Sequence, residues 1–398
     1  MSNKEKVNDI RLQQITSEIA NSIETLTLGN VVDTQLKIRK IKKKYISEYP
    51  GSRPSNVNRC SIRCEMKILF DATVALKAAT SEGKEELKQQ VHTLMDIEPD
   101  LTACVPKVIG FDLEKDLPYF IMPFYPYPSL RDLVFEQNAP EQTICTILEK
   151  LLEFMFEKIY SKKVQAAPFD YIVNTHFSRI RKRLFHLSNL SSAFDSLIKA
   201  KTIRIRSESY ENILPLLDHI QKSKELIRRL QPPEINMIHG DLEFAHVLVN
   251  IKDINNPSFV LLDPRIPSGG SDIAYDLGKL WQTSHGFLDL IASERFLLGE
   301  HFATKDTITF EVFELVDEKI LDLLHHVDKT MCTLLTKYQE IKNDPYLLMR
   351  TIFSCAAHIC SAGPFYLKND GKENVATALY LKGTQLLNDF YRSNVQQK

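Results

Sequence analysis

Glycine is scarce in this chain, with 13 residues in 398, alongside 18 prolines and a single tryptophan. That excludes a collagenous or low-complexity chain. Apolar runs of about 18 residues are missing, so no membrane-spanning helix is expected. The opening Met1-Ser2-Asn3-Lys4-Glu5-Lys6 has no apolar core of the signal-peptide kind. Neither sign of charge prevails: 50 basic residues face 51 acidic ones. That balance argues against nucleic acid as a partner, because such proteins carry a basic excess. The seven cysteines are odd in number and scattered, and neither close pair, Cys60/Cys64 or Cys355/Cys360, has zinc-finger spacing. Free thiols and a cytoplasmic location are the expectation.

What is present is an ordinary globular composition, 43% hydrophobic and 25% charged. At roughly 150 residues per domain, the length suggests two or three units. Leu12, Ile15, Ile19 and Ile23 recur at helical steps, which predicts a helical extension over 1–30. From 36 to 80 the period shortens. Tyr45–Tyr49, Cys60–Leu69 and Thr73–Lys77 read as three antiparallel strands. Gly83–Met95 reads as a helix with Leu87, Val91 and Leu94 on one face. Val105–Phe111 and Leu117–Met122 read as two further strands. Pro123, Pro126 and Pro128 then punctuate the chain, since proline cannot donate to a ladder. Beyond Pro128 the pattern is helical, with one β interruption near 237–263. Lys37–Lys44 holds six basic residues in eight and reads as a solvated face.

The chemistry concentrates in Met237–Asn250 and in Val260-Leu261-Leu262-Asp263-Pro264-Arg265. Apolar segments flank a polar turn, His239-Gly240-Asp241, and a second apolar strand delivers Asp263 at its end. Two carboxylates presented from neighbouring short strands suit phosphoryl transfer. One orients a hydroxyl nucleophile while the other holds a divalent cation. Mg²⁺ favours such oxygen ligands.

These residues resemble the aminoglycoside phosphotransferase family, small-molecule kinases within the protein-kinase-like superfamily. His239-Gly240-Asp241 is similar to the start of its catalytic segment H-G-D-x-x-x-x-N, Asp263 to its strand-ending Asp, and Ser271–Leu277 to its downstream G-D-P-x-x-D-L segment. The resemblance implies an α+β, bilobal fold with a small β-rich N-lobe and a large, mainly helical C-lobe. The expected domains are the extension over 1–30, a nucleotide-binding lobe over 31–124 and a catalytic and acceptor-binding lobe over 125–398. It implies Asp241 as the group that orients the acceptor hydroxyl, His239 as a brace, Asp263 as a metal ligand and Asp276 as a loop anchor. Where the family usually has Asn, this chain has His246, as in the similar macrolide phosphotransferases. His246 is then a metal ligand or a contact to water or phosphate.

The nucleotide, ATP or GTP, falls to the small lobe. Val74-Ala75-Leu76-Lys77 is similar to the kinase V-A-I-K word, so Lys77 is expected on the α/β-phosphates. Its helix partner is Gln90 where an acid is usual, or Glu85 or Glu86 if the register differs by a turn. Tyr49–Ser55 holds one glycine, and Ser52 is either a phosphate donor or part of a plain turn. Phe120–Tyr125 resembles the family's hinge, with Met122, Pro123 and Tyr125 at the adenine. Trp281 and His285 line an acceptor pocket or pack a helix face. His325, His326 and His358 with Cys355 and Cys360 read as packed or surface residues. Residues 176–206 carry eight basic residues and one acid, which favours a neutral or anionic acceptor over a polycation. The function expected is an ATP- and Mg²⁺-dependent kinase of a small hydroxylated, sugar-like metabolite. The alternative is a pseudokinase-like ligand-binding or regulatory module without transfer.

Overall fold

The computed structural model describes residues 41–48, 55–65, 71–72, 74–79, 83–97, 104–116, 118–267 and 269–395. The helix expected over 1–30 and the turn carrying Ser52 lie outside the described residues. The chain divides into two compact units, Met1–Thr102 with Pro106–Pro126 and Ala103–Val105 with Tyr127–Lys398.

The first unit is built on one antiparallel sheet. Its strands are β1 (Ile41–Glu48), β2 (Ser55–Glu65), β3 (Asp71–Ala72), β4 (Val74–Ala79), β5 (Gly110–Asp112) and β6 (Tyr119–Pro123). They lie in the order β1-β2-β4-β6-β5, with β3 paired to β2. Strand β4 sits inside the sheet, paired to β2 on one edge and to β6 on the other. Val74, Ala75, Leu76 and Ala79 are all buried, which explains a run without polar alternation. Helix α1 (Lys84–Met95) buries Leu87, Gln90, Val91 and Leu94, the three- and four-residue steps of an amphipathic stripe. The long strand expected over Val105–Phe111 is a correction. Only β5 pairs as a strand, because Pro106 lacks an N–H for a ladder.

The second unit is mainly helical. Helix α2 (Leu130–Phe135) opens with a capping box, in which Ser129 Oγ accepts from Asp132 N at 3.0 Å and Asp132 Oδ2 accepts from Ser129 N at 3.0 Å. Then follow α3 (Glu141–Phe154), β7 (Lys163–Ala166), α4 (Ser178–Leu190), α5 (Ser192–Lys199), β8 (Thr202–Ile205), β9 (Glu208–Glu211), α6 (Ile213–Lys222), α7 (Lys224–Leu230) and β10 (Glu234–Asn236). The hairpin of β11 (Val247–Asn250) and β12 (Ser258–Leu261) comes next, then α8 (Ile273–Trp281) and α9 (Leu288–Ala292). The chain closes with β13 (Phe296–Leu298), β14 (His301–Ala303), β15 (Thr307–Phe310), β16 (Phe313–Leu315), α10 (Glu318–Ile341), α11 (Leu347–Cys360), α12 (Gly363–Asp370) and α13 (Glu373–Val395). The fold class is α+β, with a β-rich first unit and a larger, mainly helical second unit.

Two observations position the site. Helix α8 packs on the buried helix α11 at close range. A Cβ at Gly278 would stand 2.5 Å from Ser354 Oγ, so glycine permits the approach. At the start of α8, buried Asp272 accepts from Ala274 N at 3.1 Å and pairs with Arg350 Nε at 2.7 Å. Cap and ion pair together fix where α8 begins.

The second unit holds more β structure than the single interruption expected. Strands β7 and β10 pair, β13 pairs β16, and β14-β15-β8-β9 form a four-stranded sheet in which β8 and β15 run parallel. Strands of three or four residues are too short for periodicity to separate them from helix. The partner of β8 also lies far along the chain, where no local signal reaches.

Candidate active site

The turn between β10 and β11 is anchored by its apolar residues. Ile238, Leu242 and Phe244 are fully buried, which leaves His239, Gly240 and Asp241 as the polar crest. The entry to the turn is tied down by an exchange of backbone bonds, Asn236 N to Ser271 O at 2.8 Å and Ser271 N to Asn236 O at 2.9 Å. Asp276 on α8 then clamps the crest. Its carboxylate accepts from His239 N at 2.6 Å and from Gly240 N at 2.8 Å, and Tyr160 donates to it at 3.3 Å. Burial pushes the Asp276 carboxyl up to about 7, against the pull of those donors. Gly240 has φ +81°. A Cβ there would run into the Arg265 carbonyl oxygen, so only glycine fits the crest.

Around Asp241 the structure gathers three nitrogen groups. Lys279 Nζ lies 3.1 Å from Oδ1, Arg265 Nε 3.5 Å from Oδ2 and His246 Nδ1 3.6 Å from Oδ2. Asp241 N donates to His239 Nδ1 at 3.3 Å, so His239 braces the turn through its own ring. His246 Nδ1 donates to the Asp241 carbonyl at 2.8 Å. Nδ1 is therefore a ring nitrogen that carries a proton. Arg265 N donates to His239 O at 2.7 Å, so Arg265 also ties down the loop. Asp263 lies two residues beyond β12 with φ +55°, a left-handed conformation uncommon outside glycine and more frequent at functional sites.

Asp241, Glu243 and His246 each offer a ligand atom within 4.8 Å of the others. Lys279 Nζ, however, lies 2.7 Å from Glu243 Oε1 as well as 3.1 Å from Asp241. An ammonium already serves as the cation between these two carboxylates, so this trio is a poor home for a metal ion. Lys279 was not among the residues singled out from sequence. Its only signal was a lone lysine on the apolar helix that carries Asp276.

In the first unit, Lys77 is buried on β4, and its Nζ donates to Gln90 Oε1 at 2.8 Å. The α1 helix thus sets an amide oxygen against the ammonium. Met122 and Pro123 end β6, opposite Ala75 and Val74, and the Tyr125 hydroxyl accepts from Lys107 N at 3.4 Å.

The other residues singled out from sequence have identifiable partners. Trp281 Nε1 donates to Asp328 at 2.6 Å, and His285 Nδ1 donates to the same carboxylate at 3.1 Å. His326 pairs with Glu141, and His325 lies edge-on to Phe287. Cys355 and Cys360 are buried free thiols. Four residues of the basic stretch are paired with acids: Arg181 with Asp218, Lys199 with Asp195, Lys201 with Asp306 and Arg206 with Glu314. Half of its eight basic residues are thus held in ion pairs.

No family model and no curated protein matches the chain. Among solved structures, a protein named as a fructosamine-3-kinase, from Haemophilus somnus 129PT, aligns at 11% identity with a TM-score of 0.44 over 88% of this chain and 92% of that one. An aminoglycoside-3'-phosphotransferase of type VIII aligns at 12% identity and a TM-score of 0.35, covering 73% and 93%. The BubR1 kinase domain aligns at 11% identity and a TM-score of 0.29, covering 94% and 98%. Likeness at these values carries nothing about activity.

Proposed function

We propose that the protein is an ATP- or GTP- and Mg²⁺-dependent kinase that phosphorylates a hydroxyl of a small metabolite. The observation that carries this reading is the Asp241 crest, clamped by Asp276 through two backbone N–H groups and bracketed by Lys279 and Arg265. Asp241 Oδ1 is held by Lys279. Oδ2 has the longer contacts, 3.5 and 3.6 Å, which an incoming hydroxyl would replace. Oδ2 would accept the hydroxyl proton as the acceptor oxygen bonds to the γ-phosphorus and the bond to the nucleoside diphosphate breaks. Asp263 and His246 Nε2 would hold Mg²⁺, and Lys77 would hold the nucleotide's phosphates. Magnesium supplies charge neutralisation on the phosphates when bound. Ser52, Met122, Pro123 and Tyr125 belong to the same proposal as nucleotide contacts.

A second reading has one observation in its favour. Gln90 faces Lys77 where active kinases place an acid, which suits a ligand-binding module without transfer. One experiment separates the two. A panel of hydroxylated metabolites is screened for nucleotide consumption, with Asp241→Asn as the control. Consumption by wild type and not by the variant is expected. Nucleotide binding without consumption across the panel would favour the second reading.

A further inference from the structure

Arg179 and Arg183 lie four residues apart on α4, so they share a face. Both are half-buried. Unlike the paired bases of the same stretch, neither has a carboxylate within ion-pairing distance among the described residues. Arg179 Nη1 donates to the Tyr275 hydroxyl at 2.6 Å and to His358 Nδ1 at 2.8 Å. Arg183 stacks on the Phe365 ring at 4.4 Å and makes no hydrogen bond to a protein acceptor among the described residues. Stacking covers a face of a guanidinium and leaves its N–H edge for a bidentate anion.

The neighbouring histidine rings add no charge. His358 Nε2 donates to Tyr275 O at 3.2 Å, the tautomer that accepts from Arg179. Burial and Arg179 hold His358 and His176 well below the ordinary histidine range, His176 at about 3, so both rings are neutral dipoles here. Lys182 beside them is exposed and positive.

Position links this pair to the crest. Tyr275, which receives Arg179, and Lys279, which holds Asp241, are four apart on α8. They share a face about one helical turn, or ~6 Å, apart. That is the span of a small metabolite.

We propose that Arg179 and Arg183, with the Tyr275 hydroxyl, bind an oxyanion of the acceptor while its hydroxyl lies at Asp241. The acceptor is then an anionic hydroxylated metabolite, a carboxylic acid or a phosphate ester, rather than a neutral sugar. This rests on reading Asp241 as the residue that receives the acceptor's hydroxyl.

The test is anion binding to the full chain without nucleotide. Inorganic phosphate and acetate serve as probes at constant ionic strength, and the rise in melting temperature is followed with concentration. Wild type is expected to respond to at least one probe, and the stronger responder tells phosphate ester from carboxylate. Arg183→Gln should weaken that response by about tenfold, the loss of one charge-assisted pair, with Arg183→Lys in between. Lys199→Gln, at an exposed base already paired with Asp195, should respond as wild type does. Arg183 is half-exposed, so its substitution is compatible with folding, whereas Arg179→Gln also strips buried His358 of a partner. The proposal is overturned if wild type responds to neither probe, if Arg183→Gln responds as wild type does, or if Lys199→Gln alone abolishes the response. None of these readings requires turnover, so a failure of phosphoryl transfer in the metabolite screen would be distinguishable from a failure of the anion site.

Discussion

Lys279 Nζ stands 3.1 Å from Asp241 Oδ1 and 2.7 Å from Glu243 Oε1, so one buried ammonium from α8 holds both carboxylates of the crest. Removing it leaves two neighbouring carboxylates facing each other. Lys279→Met should cost on the order of 3–5 kcal/mol in chemical denaturation, as breaking a buried pair does. The double variant with Glu243→Gln should recover part of that loss. Equal stability of Lys279→Met and wild type would show that the ammonium does not balance the pair.

Asp241→Asn should lower turnover by about 10²–10⁴-fold, the usual share of a positioned base, while melting within a few degrees of wild type. Turnover kept at about a tenth of wild type or better would remove Asp241 from the role of base. The comparison is made with whichever acceptor the screen finds.

Gly240→Ala tests the geometry of the crest. The added Cβ meets the Arg265 carbonyl, and the backbone is left-handed at φ +81°. Strain and overlap together should destabilise by more than about 1 kcal/mol and displace Asp241 from its partners. A fully stable and active Gly240→Ala would contradict the described turn.

Asp276 makes a pH prediction. Burial raises its carboxyl to about 7 in the folded chain, so the folded state binds this proton more tightly than the unfolded state. Its contribution to stability is then fully present below about pH 4 and is lost as pH rises through about 7. The difference in unfolding free energy between wild type and Asp276→Asn should follow that slope between about pH 4 and 7, over a few kcal/mol at most. A difference that stays flat over this range would place the Asp276 carboxyl at its ordinary value.

For the nucleotide, ATP with Mg²⁺ at about a hundred-fold excess over Kd should stabilise the chain by about 2.7 kcal/mol. Lys77→Ala and Asp263→Asn should each show a much smaller rise in melting temperature. If both variants respond as wild type does, the nucleotide contacts have been assigned to the wrong residues.

The amino-acid sequence by itself determined the parts whose signals are local. The β-rich start and the α1 stripe of Leu87, Val91 and Leu94 were legible, because burial of one face imposes a period on neighbouring residues. His239-Gly240-Asp241 and Asp276 stood out in the sequence, and the structure joins the turn of His239 and Asp241 to Asp276 of α8 by hydrogen bonds. Tertiary structure alone decided which distant charge meets which. It set Lys279 on Asp241 and left Arg183 without the acid that Arg181 and Arg206 each have. It also paired β8 with β15 across a long stretch of intervening chain. The physical reason is that periodicity records which side of an element is covered and carries no information on the partner that covers it. A buried charge is balanced by whatever the fold brings within a few ångströms, and that neighbour is set by packing rather than by its place in the chain.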